Sequence, residues 1–102
     1  MNSSRARTSI PVEFQAGTNR GTGKINNMGS GGLFIGTGTI PDQGEPVSLR
    51  FNLPGESPIA VTGLVWWTTR DVERPRSGPQ GFGLRLLDAS EAYEQAVERL
   101  LV

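Results

Sequence analysis

Residues 47–67 read VSLRFNLPGESPIAVTGLVWW and carry the clearest structural signal in the chain. Apolar residues recur at every second position on either side of a turn made of Pro, Gly, Glu and Ser. This period is typical of β-strands that bury one face and expose the other. The stretch therefore predicts two strands. Their inward rows are Val47, Leu49, Phe51 and Leu53, and then Ile59, Val61, Gly63, Val65 and Trp67.

The end of the second strand is apolar on both faces. Leu64 and Trp66 lie opposite the row that contains Trp67, which indicates cover on both sides, as in a barrel or beneath a packed helix. Adjacent residues of a regular strand point to opposite faces, so the two tryptophans cannot both face the core. We expect one to be buried, and the other to lie under a helix or to be available to a partner.

Shorter strand signals flank this stretch. Residues 10–15, 22–28, 33–35 and 81–87 each predict a strand, and turn residues separate them. In the last strand, Gly81 and Gly83 are expected at positions of close packing.

The C-terminal segment changes to a helical period. Asp88 stands three residues before Glu91, which is the spacing of a capping box, so we expect Asp88 to cap a helix at about residues 89–101. Apolar residues then recur every 3.6 positions, with acidic residues on the opposite face. The apolar stripe consists of Ala92, Tyr93, Ala96, Val97, Leu100 and Leu101.

These elements predict one mainly-β domain over residues 10–102. The expected architecture is a six-stranded antiparallel β-barrel with one C-terminal amphipathic helix laid across an opening or a face. Residues 1–9 are expected to form a flexible basic segment ahead of the barrel.

Composition restricts the function. The chain has 102 residues, ten basic and ten acidic side chains, and neither cysteine nor histidine. Disulfides and thiolate chemistry are therefore excluded, and the commonest general base and metal ligand is missing. The carboxylates show no paired spacing, so we expect no enzyme, no catalytic residues, no metal site and no cofactor. No apolar run approaches the ~20 residues that span a bilayer, so we expect a cytoplasmic protein without membrane insertion.

Residues 26–35, NNMGSGGLFI, concentrate three glycines in four positions just before an apolar run. A plain turn needs fewer glycines. Gly31 and Gly32 are expected to lead the chain into the Leu33 strand through a bulge or a positive-φ turn. The alternative is a place where a ligand approaches the main chain closely.

Arginines precede an Ile-Pro-Val-Glu-Phe strand, and the block Asn-Met-Gly-Ser-Gly-Gly-Leu-Phe-Ile follows. Next come the blocks Leu-Arg-Phe-Asn-Leu-Pro-Gly, Val-Thr-Gly-Leu-Val-Trp-Trp and Gly-Phe-Gly-Leu-Arg-Leu-Leu-Asp, before the helix. Taken in order, these blocks resemble the PilZ domain family of small bacterial barrels. The resemblance covers nearly the whole chain and is closest to the short, single-domain members.

The resemblance implies binding of the second messenger cyclic di-GMP. Binding members carry Arg-x-x-x-Arg on a mobile N-terminal segment and Asp/Asn-x-Ser-x-x-Gly between the second and third strands. Arginine suits this ligand because its planar fork bonds phosphate oxygens and the O6 and N7 atoms of guanine. A short amide reaches polar guanine edges, and glycine lets the main chain curve beneath the ligand.

This sequence departs from both motifs. Asn27 and Gly32 match the second motif, but Gly29 stands where serine is expected and Ser30 follows one residue later. The first motif aligns its second arginine with Arg5. The first arginine would then fall at Met1, and the two N-terminal arginines form Arg-x-Arg instead. The predicted ligand-binding residues are Arg5, Arg7, Asn27, Gly29, Ser30 and Gly32.

Three functions remain open at this point. The first is a cyclic di-GMP receptor whose interaction surface changes on nucleotide binding. The second is a degenerate PilZ domain that binds no appreciable nucleotide and serves as a protein-interaction module in motility or surface attachment, with an unknown protein partner. The third is a single-strand nucleic-acid binder, which zero net charge and seven aromatic residues argue against, so we expect no nucleic-acid polymer as partner.

Overall fold

Six strands and one helix make up the computed structural model, which describes residues 6–53, 55–69, 80–88 and 90–101. The strands are β1 Ala6–Ala16, β2 Asn19–Met28, β3 Gly32–Gly36, β4 Pro46–Phe51, β5 Ile59–Thr68 and β6 Gly81–Asp88. The helix α1 is Glu91–Leu101. The predicted six-stranded antiparallel barrel with a C-terminal helix is therefore confirmed.

The barrel closes in the order β1-β2-β3-β6-β5-β4, and every neighbouring pair is antiparallel. Closure comes from β1, which pairs with β2 along one side and with β4 along the other. In the second ladder Val12 lies opposite Phe51 and Ala16 lies opposite Val47. The inward rows predicted for residues 47–53 and 59–65 are indeed buried, because they fill the interior of this closed sheet.

The helix covers the barrel end at which β2 and β4 finish. Tyr93 is fully buried, its ring meets the edge of Phe51 at 6.4 Å between centroids, and Ala96 and Val97 join the same core. The buried stripe is narrower than predicted, because Ala92 is exposed and Leu100 is 37% exposed. Three turns laid over a small opening bury only positions i, i+3 and i+4.

The strand β1 begins at Ala6, four residues before the predicted start, so residues 6–9 of the predicted N-terminal segment lie in this strand. Ala6 lies opposite Met28 and Arg7 lies opposite Asn27. An irregularity follows Arg7, and there the Thr8 hydroxyl donates to the carbonyl of Ile25. Backbone pairing sustains this strand where the side chains show no apolar alternation. The remainder of the predicted segment, including Arg5, lies outside the described residues.

The helix cap is Ser90, so the prediction of Asp88 as cap is wrong. The backbone N–H of Tyr93 donates to Ser90 Oγ at 3.2 Å, which is the geometry of an N-cap three residues ahead of its donor. Asp88 still belongs to β6, where it lies opposite Thr62. Glu91 and Glu94 occupy the first turn, where the positive end of the helix dipole favours carboxylates.

Replacing Gly81 with alanine tests the close packing of β3 against β6. A Cβ at Gly81 would lie 1.9 Å from the carbonyl oxygen of Ile35, whereas a Cβ at Gly38 would meet nothing within 4 Å. We expect Gly81→Ala to lower the free energy of unfolding by about 1–3 kcal/mol, as overpacking does. Gly38→Ala is the matched control and should change it by less than about 0.5 kcal/mol. Urea denaturation measures both, and equal losses would contradict the prediction.

Alanine substitution also separates the two candidate caps. Ser90→Ala removes the acceptor of the Tyr93 N–H and should destabilise the protein by about 0.5–2 kcal/mol. Asp88→Ala removes an exposed carboxylate and should have no comparable effect. The measurement is the unfolding midpoint in urea for both variants. A larger loss from Asp88→Ala would reinstate Asp88 as the cap.

Candidate functional site

The loop between β2 and β3 is short and fixed by three hydrogen bonds. The Gly29 N–H donates to the Gly32 carbonyl at 2.9 Å, and the Leu86 N–H donates to the Gly31 carbonyl at 3.1 Å. The Tyr93 hydroxyl donates to the Gly29 carbonyl at 2.7 Å. The loop is thus tied to itself, to β6 and to α1.

Gly32, at the end of this loop, is a close-packing position. Positive φ occurs, among the described glycines, at Gly17, Gly44 and Gly55, so the predicted positive-φ turn at Gly31 and Gly32 is wrong. A Cβ at Gly32 would lie 2.5 Å from the carbonyl oxygen of Leu84, so this position must be glycine for β3 to meet β6. The bulge lies upstream, in β2 between Ile25 and Asn27.

A single row of residues crosses five strands at this level of the barrel. Arg7 lies opposite Asn27, Asn27 opposite Phe34, Phe34 opposite Gly83, and Gly83 opposite Trp67. Residues directly opposite each other in antiparallel strands point to the same face. The row faces outward, because Leu33 and Ile35 on either side of Phe34 belong to the core. We call these five positions the outer row.

The aromatic part of the outer row is a stacked pair. The rings of Phe34 and Trp67 are 5.3 Å apart and 24° from parallel. The indole lies directly over Gly83, where a Cβ would be 2.2 Å from Trp67 Nε1. Beside this pair the Arg85 guanidinium sits 4.7 Å from the ring of Trp66. Gly83 is therefore a close-packing position, as predicted, and it makes room for the indole.

Neither tryptophan is buried in the core, contrary to prediction. Trp66 is 54% exposed and Trp67 is 38% exposed. The register of β5 against β6 shifts between Val65 and Trp67, so Trp66 is an extra residue and the alternation is broken. The bulge turns both indoles to the outside.

The predicted binding residues are partly brought together. Arg7 and Asn27 are cross-strand neighbours, with Arg7 exposed and Asn27 half-buried. Gly29 lies buried in the loop, Ser30 is exposed at its tip, and Gly32 opens β3. Arg5 lies outside the described residues.

Sequence reasoning missed Phe34 and Arg85 as members of this surface and did not place Trp67 against Phe34, the cross-strand neighbour of Asn27. A signal was present for Phe34, since the alternation within Leu33, Phe34 and Ile35 puts the phenyl ring on the outer face. An apolar ring there needs a cover, and Trp67 supplies part of it.

The outer row combines chemistries that suit a planar, anionic ligand. A guanidinium at Arg7 favours phosphate or a purine edge, and the Asn27 amide can both donate and accept. The indole of Trp67 offers a flat, partly exposed surface on which a base can stack. Among the described residues no three His, Cys, Asp or Glu side chains cluster as a metal site requires. The described helix, α1, lacks the length and apolar character needed to cross a membrane.

A polar groove of about 700 Å³ lies on another part of the outer surface. Its walls include Arg20, Ser48 and Arg50, and it contains no member of the outer row. The groove lacks an exposed aromatic ring, so it offers nothing for a base to stack on.

The fold is a small closed β-barrel with a capping helix, and the outer row gives it a polar and aromatic surface. A search of curated protein sequences returns no significant match. A family model, however, matches residues 1–102 and is described as the PilZ domain. The chain belongs to the PilZ domain family.

Solved structures share the fold. The Bacillus subtilis inhibitor of motility MotI/DgrA aligns with a TM-score of 0.75 at 19% identity, over 97% of this chain and 48% of that one. The chain thus spans about half the length of that protein. The PilZ domain of CeSA from a cellulose-synthesizing bacterium aligns with a TM-score of 0.66 at 22% identity, over 97% and 95%. The PilZ domain of YcgR from Escherichia coli, solved with c-di-GMP, gives 0.67 at 12% identity, over 99% and 88%.

Gly83→Ala tests the architecture of the aromatic pair. The added Cβ would displace the Trp67 indole from Phe34, because the two atoms cannot coexist at 2.2 Å. In a Trp66→Phe background, which leaves Trp67 as the single tryptophan, we expect red-shifted fluorescence and a weaker near-ultraviolet circular dichroism band. Gly31→Ala is the control, since a Cβ there meets nothing within 4 Å. Unchanged spectra in Gly83→Ala would contradict the stacked arrangement.

Proposed function

We propose that this chain is a non-enzymatic, cytoplasmic receptor module for cyclic di-GMP that changes its interaction surface when the nucleotide binds. The observation that carries the proposal is the register of the outer row. It places Arg7 beside Asn27, next to a stacked Phe34–Trp67 pair. Family membership supports the proposal, as does the likeness in fold to the YcgR PilZ domain, which was solved with c-di-GMP.

Four side chains of the outer row have defined roles in this proposal. Arg7 bonds a phosphate oxygen or the O6 and N7 atoms of guanine, and Asn27 bonds a polar guanine edge. Trp67 receives a guanine face, with Phe34 behind it to hold the indole in place. Ser30, exposed at the loop tip, is the hydroxyl closest in sequence to the position of the missing serine.

The replacement of serine by Gly29 and the incomplete arginine motif set the expected strength of binding. A charge-assisted hydrogen bond contributes about 1.5–3 kcal/mol, and each ~1.4 kcal/mol is tenfold in affinity. Loss of two such contacts weakens binding by about 10²–10⁴-fold relative to a complete site. Stacking on Trp67 offsets part of this, at about 1–3 kcal/mol per base.

A second function is favoured by the exposed apolar residues of β5 and β6. Trp66 is 54% exposed and Leu87 is 60% exposed on adjacent strands, and the Arg85 guanidinium lies over the Trp66 ring. Clustered tryptophan and arginine are typical of protein-binding hot spots. In this alternative the domain binds no appreciable nucleotide and engages a protein partner directly. Under either function we propose an output in bacterial motility or surface attachment, because the structural neighbour MotI/DgrA is an inhibitor of motility.

Calorimetric titration with cyclic di-GMP to millimolar concentration distinguishes the two functions. Arg7→Ala should weaken binding by about ten- to hundredfold, since it removes a charge-assisted contact. Trp67→Ala should weaken it by about tenfold or more. Arg50→Ala, which removes an exposed arginine of the polar groove, is the matched control and should leave affinity unchanged.

The absence of binding heat at millimolar nucleotide would contradict the receptor function. A protein partner recovered equally with and without the nucleotide would then support the interaction module. Equal losses from Arg7→Ala and Arg50→Ala would show that binding depends on general charge and not on the outer row.

A further inference from the structure

The Tyr93 side chain of α1 is hydrogen-bonded to the β2–β3 loop. The Tyr93 hydroxyl donates to the Gly29 carbonyl at 2.7 Å, across 64 positions of the sequence. Both residues are buried. This bond joins the C-terminal helix to the residue that stands at the serine position of the ligand motif.

The position of the hydroxyl is determined by the helix. Tyr93 is 0% exposed, and its ring is packed edge-on against Phe51. Its backbone N–H is bonded by the capping Ser90, so the first turn of α1 fixes the residue. A tyrosine held in this way cannot follow a moving loop without a shift of the helix itself.

The loop, in turn, depends on this donor. Gly29 has no side chain to hold its own conformation, and its buried carbonyl would lose the Tyr93 hydroxyl on any displacement from α1. Asn27 lies two residues before Gly29, and Ser30 lies one residue after it. Rotation of the Gly29 peptide therefore changes where the Ser30 side chain points, while Asn27 stays paired with Arg7 and Phe34.

We propose that Tyr93 is the positioning residue of the β2–β3 loop and that α1 senses the state of this loop. The proposal rests on the proposed function in naming cyclic di-GMP as the ligand that the loop receives. A docked α1 holds the loop in place and so raises its affinity for the nucleotide by some factor. Thermodynamic reciprocity then requires that the bound nucleotide tightens the docking of α1 by the same factor. Helix position becomes the signal that a partner of this domain reads.

Tyr93→Phe removes the hydroxyl and keeps the ring, so it isolates the bond. In nucleotide-free protein we expect the Gly29 and Leu86 amides, which belong to the loop and its contact with β6, to exchange with solvent about three- to tenfold faster. Val97→Ala is the matched control. It removes buried methyl groups from the same helix without touching the hydroxyl. Exchange at the two amides in Val97→Ala should stay near the wild-type rate.

Titration of the same variants adds the nucleotide. We expect Tyr93→Phe to bind cyclic di-GMP about three- to tenfold more weakly than wild type and Val97→Ala to bind equally well. If the wild type binds no nucleotide but Tyr93→Phe still accelerates exchange selectively, the receptor function fails and the positioning role stands. If Tyr93→Phe exchanges and binds like wild type, or if Val97→Ala accelerates the same amides equally, the positioning role is overturned.

Discussion

The close approach of β3 and β6 is the constraint on which the rest of this structure depends. At Gly32 and Gly81 a Cβ would lie 2.5 Å and 1.9 Å from backbone carbonyl oxygens of the facing strand. Only glycine allows the two short strands to meet, and their meeting joins the β1-β2-β3 side of the barrel to the β6-β5-β4 side. The same seam carries Phe34 opposite Gly83, so the Trp67 indole lies over Gly83 and stacks on Phe34, the cross-strand neighbour of Asn27. One packing requirement thus closes the core and assembles the outer surface.

The architecture could be predicted from the sequence because each strand buries one row of side chains. Apolar residues therefore alternate with polar ones along the strand, and this pattern is visible in the sequence. Two features lay beyond this signal. The early start of β1 at Ala6 rests on backbone hydrogen bonds, which any side chain permits. The exposure of both tryptophans depends on a bulge in β5. A single extra residue in a strand does not change the amino-acid composition, so the bulge could not be predicted from it.

The candidate site could be predicted only in part from the sequence, for a related reason. Asn27 and Arg7 could be named from motif spacing, but their adjacency is a matter of register between β1 and β2. The cap shows the same limit. Asp88 and Ser90 are both good capping residues by type, and the choice falls to Ser90 because β6 still holds Asp88 in its ladder. Local chemistry named the candidates, and tertiary pairing selected among them.

The closed order of the six strands limits how any protein partner can be recognised. A sheet with an open edge offers unpaired N–H and C=O groups, onto which an extended peptide can add as a further strand. In this barrel each strand already has a neighbour on both sides. Where a strand is paired on both sides, a partner must therefore recognise side chains on the outer face rather than main-chain groups. Evolution can then change partners by single substitutions on that face, such as at Trp66 or Leu87, and leave the ladders intact.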